Sequence, residues 1–255
     1  MKTLFLSISL ITAASLYAQT EQQTVTSGRI TFEEKVKLNI KIDGGAPPVD
    51  LPKERKSRKL LTFNADAAIF EDGNNNTEDV MSSAPGDGGV RIRMVYSGDS
   101  KIYTDLKNDI VTEQRDFMNR IFLVEKKNPS DAWKVTGQQK DILGYKCFEA
   151  VRQDTSGNRT IVWFAPSIPV KAGPAGLGNL PGMVLEADFN SGSRVLTAKS
   201  IETAVAEAGK IQKPKEGKKV TEEEYKSIVS EKMKEMGMEH RSEGGNQMQV
   251  VIRHQ

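Results

Sequence analysis

The side chains best suited to metal chemistry gather near the C-terminus. Met236, Met238 and His240 fall within one short stretch, and thioether and imidazole ligands suit Cu(I). The alternative is that the methionines are apolar positions around a helix end and bind nothing. We expect no resident metal or cofactor; if a metal does bind, these three residues are its candidate ligands.

The sequence offers little for nucleophilic catalysis. Cys147 is the single cysteine, and a reactive thiolate needs a cationic neighbour. The two histidines, His240 and His254, both lie far from it in the chain. No Gly-x-Ser-x-Gly elbow, phosphate loop or dinucleotide fingerprint occurs. We therefore predict that the protein is not an enzyme and that its thiol is buried and inert.

The charge balance argues against a nucleic-acid partner. The chain has 36 basic and 34 acidic residues, for a net charge of +2, whereas nucleic-acid binding requires a concentrated basic face. The run from Lys53 to Lys59 is the one basic cluster. Such a run is typical of a solvated strand edge or loop.

The N-terminus has the pattern of a signal peptide at residues 1–18. Lys2 supplies the positive charge, an apolar and small-residue run follows from Leu4 to Leu16, and Ala18 offers the small residue before cleavage. No later apolar run is long enough to span a bilayer. We expect a periplasmic or secreted protein, with no transmembrane segment in the mature chain.

Alternation of apolar and polar residues predicts a mainly β protein. From Gly28 to Ile42 the even-numbered positions are apolar except for Glu34, as in a long strand with one buried face. Short strand-like runs separated by turn residues follow, among them Leu60 to Phe70, Trp133 to Gln138 and Asp141 to Arg152. They indicate a curved antiparallel meander sheet or a half-open β-barrel, forming a single domain over residues 28–255. Within it we expect a mobile insert at 72–89 and one amphipathic helix at 221–237, where Thr221 and Glu224 form a capping box.

The most distinctive segment is the loop at residues 166–182, which is dense in glycine and proline. Its backbone is specialised for shape rather than for side-chain chemistry. The candidate ligand-binding residues are Leu177, Leu180, Pro181, Gly182 and Met183. The alternative is that Leu180 and Met183 fill the core while Pro181-Gly182 makes a turn.

These residues carry a resemblance to a known family. The run Leu180-Pro181-Gly182-Met183-Val184 and the order of motifs before it resemble the GLPGLI family, exported Gram-negative proteins of unknown function. Those earlier motifs are Trp133-Lys134-Val135, Ile142–Cys147 and Val162–Pro166. Only Leu180-Pro181-Gly182 matches the family's name literally. The resemblance implies export and a β-rich fold, and it assigns no activity.

The sequence therefore suggests an exported, non-enzymatic binding or carrier module of the cell envelope. Its partner would be an apolar ligand or a lipid-linked cargo. One alternative is an accessory protein that contacts an outer-membrane receptor or transporter. A further alternative is a Cu(I)-binding protein that uses its C-terminal methionines and histidine.

Overall fold

The computed structural model describes residues 24–42, 53–73, 100–127, 133–154, 157–203, 205–235 and 249–252. Within them the chain forms fourteen strands and one α-helix. They are β1 (Gly28–Lys37), β2 (Asn39–Ile42), β3 (Glu54–Phe63), β4 (Ala67–Asp72), β5 (Lys101–Asp105), β6 (Ile110–Phe117), β7 (Arg120–Lys127), β8 (Lys134–Ile142), β9 (Tyr145–Gln153), β10 (Arg159–Ala165), β11 (Met183–Phe189), β12 (Arg194–Thr203), β13 (Lys218–Val220), α1 (Glu222–Glu235) and β14 (Gln249–Ile252).

Twelve strands form one open sheet, in the order β13-β7-β6-β5-β4-β3-β1-β12-β11-β10-β9-β8. All neighbours are antiparallel except β13, which runs parallel to β7. β1 lies near the middle, between two meanders that leave it in opposite directions. The predicted mainly β fold with an open antiparallel sheet is confirmed. The last strand, β14, pairs with β2 in a separate parallel ribbon.

Two strand boundaries differ from the sequence-based expectation because turns interrupt the runs. The long first strand divides at Leu38 into β1 and β2. The strand expected from Leu60 to Phe70 is a hairpin, in which the Asn64 side-chain oxygen accepts hydrogen bonds from the amides of Asp66 and Ala67. Asparagine closes such turns because its side chain substitutes for a backbone carbonyl.

The turn between β8 and β9 also falls at a different place. Leu143 and Gly144 both have positive φ, 52° and 80°, as in the type I′ turns that match the twist of a hairpin. β8 therefore continues to Ile142, where the sequence had suggested a break before Asp141. The basic run at Lys53–Lys59 forms most of β3, which is an interior strand rather than an edge.

The inner face of the sheet is defined by rows of buried side chains that oppose each other across neighbouring strands. In one row Ala150, Val162, Ala187 and Leu196 are fully buried. β1 continues this row with Glu34. Directly opposed residues share a face, so this row, with Glu34 in it, lies on one side of the sheet, which we call the inner face.

The loop at 166–182, called the central loop below, fills the inner face. Its apolar side chains are buried: Ile168, Val170, Ala172, Leu177 and Leu180. A Cβ atom on Gly173 would lie 2.6 Å from the Val184 side chain on β11, and one on Gly176 would lie 3.1 Å from Ile102 on β5. The central loop therefore touches two strands that are far apart in the sheet order.

These two contacts require strong curvature. β5 and β11 are five strand spacings apart, which is about 24 Å in a flat sheet. Gly173 and Gly176 are only three residues apart, a span of at most about 10 Å. The sheet must therefore roll around the central loop.

Trp133 secures the central loop from the β8 edge. Its indole Nε1 donates a hydrogen bond to the carbonyl oxygen of Gly178 at 3.0 Å. The guanidinium of Arg152 lies 4.7 Å from the centre of the same ring. The indole is thereby fixed on both its polar edge and its face.

The predicted helix near the C-terminus is present as α1. The Thr221 hydroxyl accepts a hydrogen bond from the Glu224 amide, and the Glu224 carboxylate accepts one from the Thr221 amide. This reciprocal pair is the expected capping box. Tyr225 packs against Phe122 of β7, and Arg115 lies over the Tyr225 ring while pairing with Glu222. The predicted helix end at residue 237, most of the insert at 72–89 and the signal peptide at 1–18 lie outside the described residues.

Glu34 is a buried carboxylate that ties β1 to both of its neighbours. It accepts hydrogen bonds from Ser57 Oγ at 2.8 Å and Arg194 Nε at 2.7 Å. Lys59 Nζ lies 3.6 Å away and also pairs with Asp72. Burial alone would raise the pKa of Glu34, but the charges of Arg194 and Lys59 and the Ser57 hydrogen bond hold it below its usual range.

Gly182→Ala tests whether the central loop is part of the core. Gly182 has φ 154°, and an added Cβ would lie 2.3 Å from the Ala165 carbonyl oxygen. Because the obstacle is backbone, the loop must shift, and we expect a loss of more than about 3 kcal/mol in the free energy of unfolding. Urea denaturation measures this.

Gly144→Ala is the matched control. Gly144 also has positive φ, 80°, but an added Cβ would meet nothing within 4 Å. We expect a loss of about 1 kcal/mol from backbone strain alone. Equal losses in the two variants would show that the close packing at Gly182 does not matter to stability.

Glu34→Gln tests the buried network. It leaves Arg194 and Lys59 without their shared carboxylate, and removing one partner of a buried pair costs about 3–5 kcal/mol.

Since the folded pKa of Glu34 lies below the unfolded one, its stabilisation is complete above about pH 4.5 and is lost as the pH falls through the folded pKa. Denaturation at pH 7 and at pH 3 should therefore show a smaller pH effect in Glu34→Gln than in the wild type.

Glu33→Gln is its neighbour control on the opposite face. The Glu33 side chain is 31% exposed, against 6% for Glu34, and exposed ion pairs contribute roughly 0–1 kcal/mol. A loss at Glu33 equal to that at Glu34 would contradict the assignment of Glu34 as a buried charge.

Candidate functional site

The structure places the predicted loop residues in the core rather than around an opening. Leu177, Leu180, Gly182 and Met183 are buried, and Pro181 alone is exposed. Their arrangement corresponds to the alternative in which the central loop fills the sheet. That they bind a ligand stays a prediction without a test here.

The candidate metal ligands Met236, Met238 and His240 lie outside the described residues. Among the residues that the structure describes, no group of three or more histidine, cysteine, aspartate or glutamate side chains could hold a metal ion.

A row of mostly polar and charged side chains lies on the outer face of the sheet. A row of directly opposed residues crosses six neighbouring strands, one position along from the buried row described above. It consists of Glu149, Trp163, Glu186, Thr197, Glu33 and Arg58. We call this row the outer lane. Opposed residues share a face, so a ligand lying across the strands would meet these side chains in sequence.

Trp163 is the centre of a compact cluster in the outer lane. Glu149 and Glu186 flank it on the adjacent strands. Lys140 Nζ lies 4.3 Å from the centre of the indole ring and 2.7 Å from Glu186 Oε1. On the other side, Thr136 Oγ1 donates to Glu149 Oε1 at 2.7 Å. We call these five residues the Trp163 platform.

The Trp163 platform combines an aromatic surface with charged donors and acceptors. Trp163 is partly exposed although it packs against the core. The side chains of Lys140 and Glu186 are 34% and 22% exposed, so solvent reaches both. An apolar ring edged by carboxylates and an ammonium can pack against an uncharged ring while hydrogen-bonding to its hydroxyl groups.

Sequence reasoning missed this platform because its members are scattered along the chain. The pair Glu149 and Trp163 could have been predicted, because the turn between β9 and β10 fixes the hairpin register and places these two residues opposite each other. The pair Glu186 and Trp163 could not have been predicted, because their pairing follows the central loop and depends on a β-bulge between Trp163 and Phe164.

The chain matches part of a known family. Residues 107–227 match the family described as N-glycanase peptide, N-terminal domain. The match covers a little under half of the chain, from just before β6 to the start of α1. All five residues of the Trp163 platform lie within it. No curated protein gives a significant match.

Two solved structures of PNGF-II share the fold. The structure in space group P21 has a TM-score of 0.50 and 18% identity, covering 80% of this chain and 33% of that one. The structure in space group C2 has a TM-score of 0.51 and 19% identity, covering 80% and 32%. This chain therefore spans about a third of the length of these proteins, and the likeness shows the fold alone.

These matches correct three expectations. The resemblance to the GLPGLI family is wrong, because the matching family is that of the N-glycanase N-terminal domain. The same match contradicts the non-enzymatic carrier of the cell envelope and its outer-membrane alternative. It also contradicts the prediction that the protein is not an enzyme. The short loop motif misled the sequence comparison because Leu180-Pro181-Gly182 meets a packing requirement of the core.

The described part of the chain contains no helix that is both long enough and apolar enough to cross a bilayer.

Cys147 lies beside the Trp163 platform, opposite Lys140 on β8, and is fully buried. Burial raises the pKa of its thiol to about 11, so only about one thiol in a thousand is ionised at pH 8. We expect iodoacetamide at pH 8 to leave the folded protein unmodified and to modify it fully in denaturant. Mass spectrometry measures both.

Thr136→Cys provides the positive control, since Thr136 is exposed on the same platform. This introduced thiol should react in the folded protein. Rapid modification of Cys147 in the folded wild type would restore it as a candidate nucleophile.

Proposed function

We propose that this chain is a domain of the N-glycanase type that takes part in the removal of asparagine-linked glycans. We further propose that it contacts the glycan through the Trp163 platform. The observation that carries the proposal is the position of the platform. The platform has a partly exposed aromatic residue flanked by carboxylates, on the outer sheet face, within the residues that match the N-glycanase domain.

The chemistry of the platform suits a sugar ring. A pyranose has apolar C–H faces and a rim of hydroxyl groups, so it needs an apolar surface together with donors and acceptors around it. Trp163 supplies the surface, Glu149 and Glu186 accept hydrogen bonds, and Lys140 donates. Hydrogen bonds to charged groups contribute about 1.5–3 kcal/mol each.

Lys140 lies over the Trp163 ring, and the contacts that hold it there are weak. Its contact with the ring contributes about 0.5–1 kcal/mol at an exposed site, and its ion pair with Glu186 contributes roughly 0–1 kcal/mol. Burying the ring under a sugar recovers about 25 cal/mol for each Å² of apolar surface removed from water. The ammonium can then donate to a hydroxyl of the ligand from beside the ring.

This role is consistent with the export that the N-terminal sequence predicts. Lys2, the apolar run from Leu4 to Leu16 and Ala18 have the pattern of a cleaved signal. We propose that the mature chain meets its glycoprotein substrates in the periplasm or outside the cell.

Trp163→Ala tests the proposal. We expect the wild type to bind an N-glycopeptide more tightly than the same peptide without its glycan, and Trp163→Ala to weaken binding of the glycopeptide at least about ten-fold, or 1.4 kcal/mol. Isothermal titration calorimetry measures the affinity. Mass spectrometry of the same mixtures shows whether asparagine becomes aspartate as the glycan is released.

Leu143→Ala is the matched control. Leu143 is an apolar side chain, 45% exposed, in the turn between β8 and β9 and outside the platform, so its loss should leave glycopeptide affinity unchanged. Equal binding of the glycosylated and unglycosylated peptides, or full affinity in a folded Trp163→Ala protein, would overturn the proposal.

A further inference from the structure

A concentration of exposed cations lies at the far end of the outer lane. Lys35, Lys56, Arg58 and Lys199 occupy the outer face of β1, β3 and β12, around Glu33. We call these four residues the basic patch. The lysine side chains are 45%, 56% and 51% exposed, respectively.

Carboxylates neutralise the basic patch only in part. Glu33 lies 3.2 Å from Lys199 Nζ and 3.6 Å from Lys35 Nζ, and Glu54 lies 3.6 Å from Lys56 Nζ. Burial alone would raise the pKa of Glu33, but the hydrogen bond from Lys199 and the charges of Lys199, Lys35 and Lys56 together bring it below its usual range. Four basic side chains thus share two acidic partners, Glu33 and Glu54.

One arrangement within the basic patch opposes folding. Lys35 and Lys56 are directly opposite each other across β1 and β3, and like charges in that position destabilise a sheet. The two strands are already paired along their whole length, with the inner-face network of Glu34 on their other side. The direct pairing of these two lysines is therefore unfavourable in itself, and an anion placed between them would relieve their repulsion.

The basic patch and the Trp163 platform belong to one continuous surface. β1 is three strand spacings from β10, which is about 14 Å. Glu186 and Thr197 join the two sites along the outer lane. A single extended oligosaccharide can lie across both.

We propose that the outer lane selects acidic N-glycans, with a neutral sugar on the Trp163 platform and an oxyanion of the same glycan on the basic patch. This inference rests on the proposed function and adds the class of substrate. Most of the patch, Lys35, Lys56 and Arg58, lies outside the residues that match the N-glycanase family.

The charge pattern along the outer lane separates an acidic glycan from other anionic partners. A nucleic acid or an anionic membrane presents negative charge along its whole length. Glu149 and Glu186 would repel such a partner at the platform end. The ligand that fits is negative at one end and neutral at the other.

The test compares three N-glycopeptides with the same peptide and glycan core. One ends in neutral sugars, one in sugars that bear a carboxylate, and one in sugars that bear a phosphate. At low salt we expect both acidic forms to bind the wild type about ten-fold more tightly than the neutral form, since exposed ion pairs contribute modestly but add across the basic patch. The difference should shrink at high salt because exposed charges are screened.

The triple variant Lys35→Gln/Lys56→Gln/Lys199→Gln should lose the preference for both acidic forms and keep its affinity for the neutral one. A matched control removes three exposed lysines elsewhere, as Lys107→Gln/Lys215→Gln/Lys226→Gln, with the same change in net charge. The control should keep the acidic preference. A preference for only one acidic form in the wild type would identify the carboxylate or the phosphate as the natural oxyanion.

The failure of this inference can be told apart from the failure of the proposed function. If the neutral glycopeptide binds and Trp163→Ala weakens it, but the acidic forms bind no tighter, acidic selectivity is overturned and the glycan site stands. If the triple variant and the control lose the acidic preference equally, the effect is one of net charge and the basic patch is not a site. If no glycopeptide binds better than the bare peptide, the proposed function falls as well.

Discussion

The packing of the central loop against the inner face of the sheet is the contact on which the rest of the structure depends. A twelve-stranded open sheet has a large apolar face and no second sheet to cover it. Here the central loop covers the larger cluster of core residues, with side chains such as Leu177 and Leu180 buried among those of the strands, while α1 covers a smaller cluster around Phe122 on β7. Its close approaches at Gly173 and Gly182 leave no space for a Cβ atom. The sheet is rolled because both of its halves must reach the same short segment.

Filling the inner face determines where a ligand can be recognised. A half-open barrel with a hollow interior would offer a cleft for an apolar molecule, but this interior is occupied by the protein's own loop. The outer face keeps the polar side chains that every strand presents on the side away from the core. Among these, Trp163 is unusual because it places a large aromatic ring on a polar surface between two carboxylates. Recognition of a sugar is the use that this combination favours.

The sequence predicted those elements that local patterns determine. Alternation identified β1, and the pair Thr221 and Glu224 identified the start of α1. Turn residues were placed less well where a side chain closes the turn, as Asn64 does between β3 and β4. The Trp163 platform could not be predicted in full, because Glu186 joins it through pairing across a long loop and a bulge. The motif Leu180-Pro181-Gly182 in the central loop suggested the wrong family. A short Gly-Pro pattern is a weak indicator of family, because a tight turn that packs against a core can require the same residues in different families.

β1 connects the stability of the fold to the spacing of the outer lane. Its neighbouring residues Glu33 and Glu34 point to opposite faces, one into the basic patch and the other into the buried network with Arg194 and Lys59. A slip of one residue in the register of β1 would exchange its two faces, burying Glu33 together with Lys35. The ion pairs of Glu34 to β3 and β12 oppose such a slip, because only one register brings that carboxylate to Ser57 and Arg194 together. The same buried contacts therefore fix how far the basic patch lies from Trp163, and so the length of glycan that can reach both.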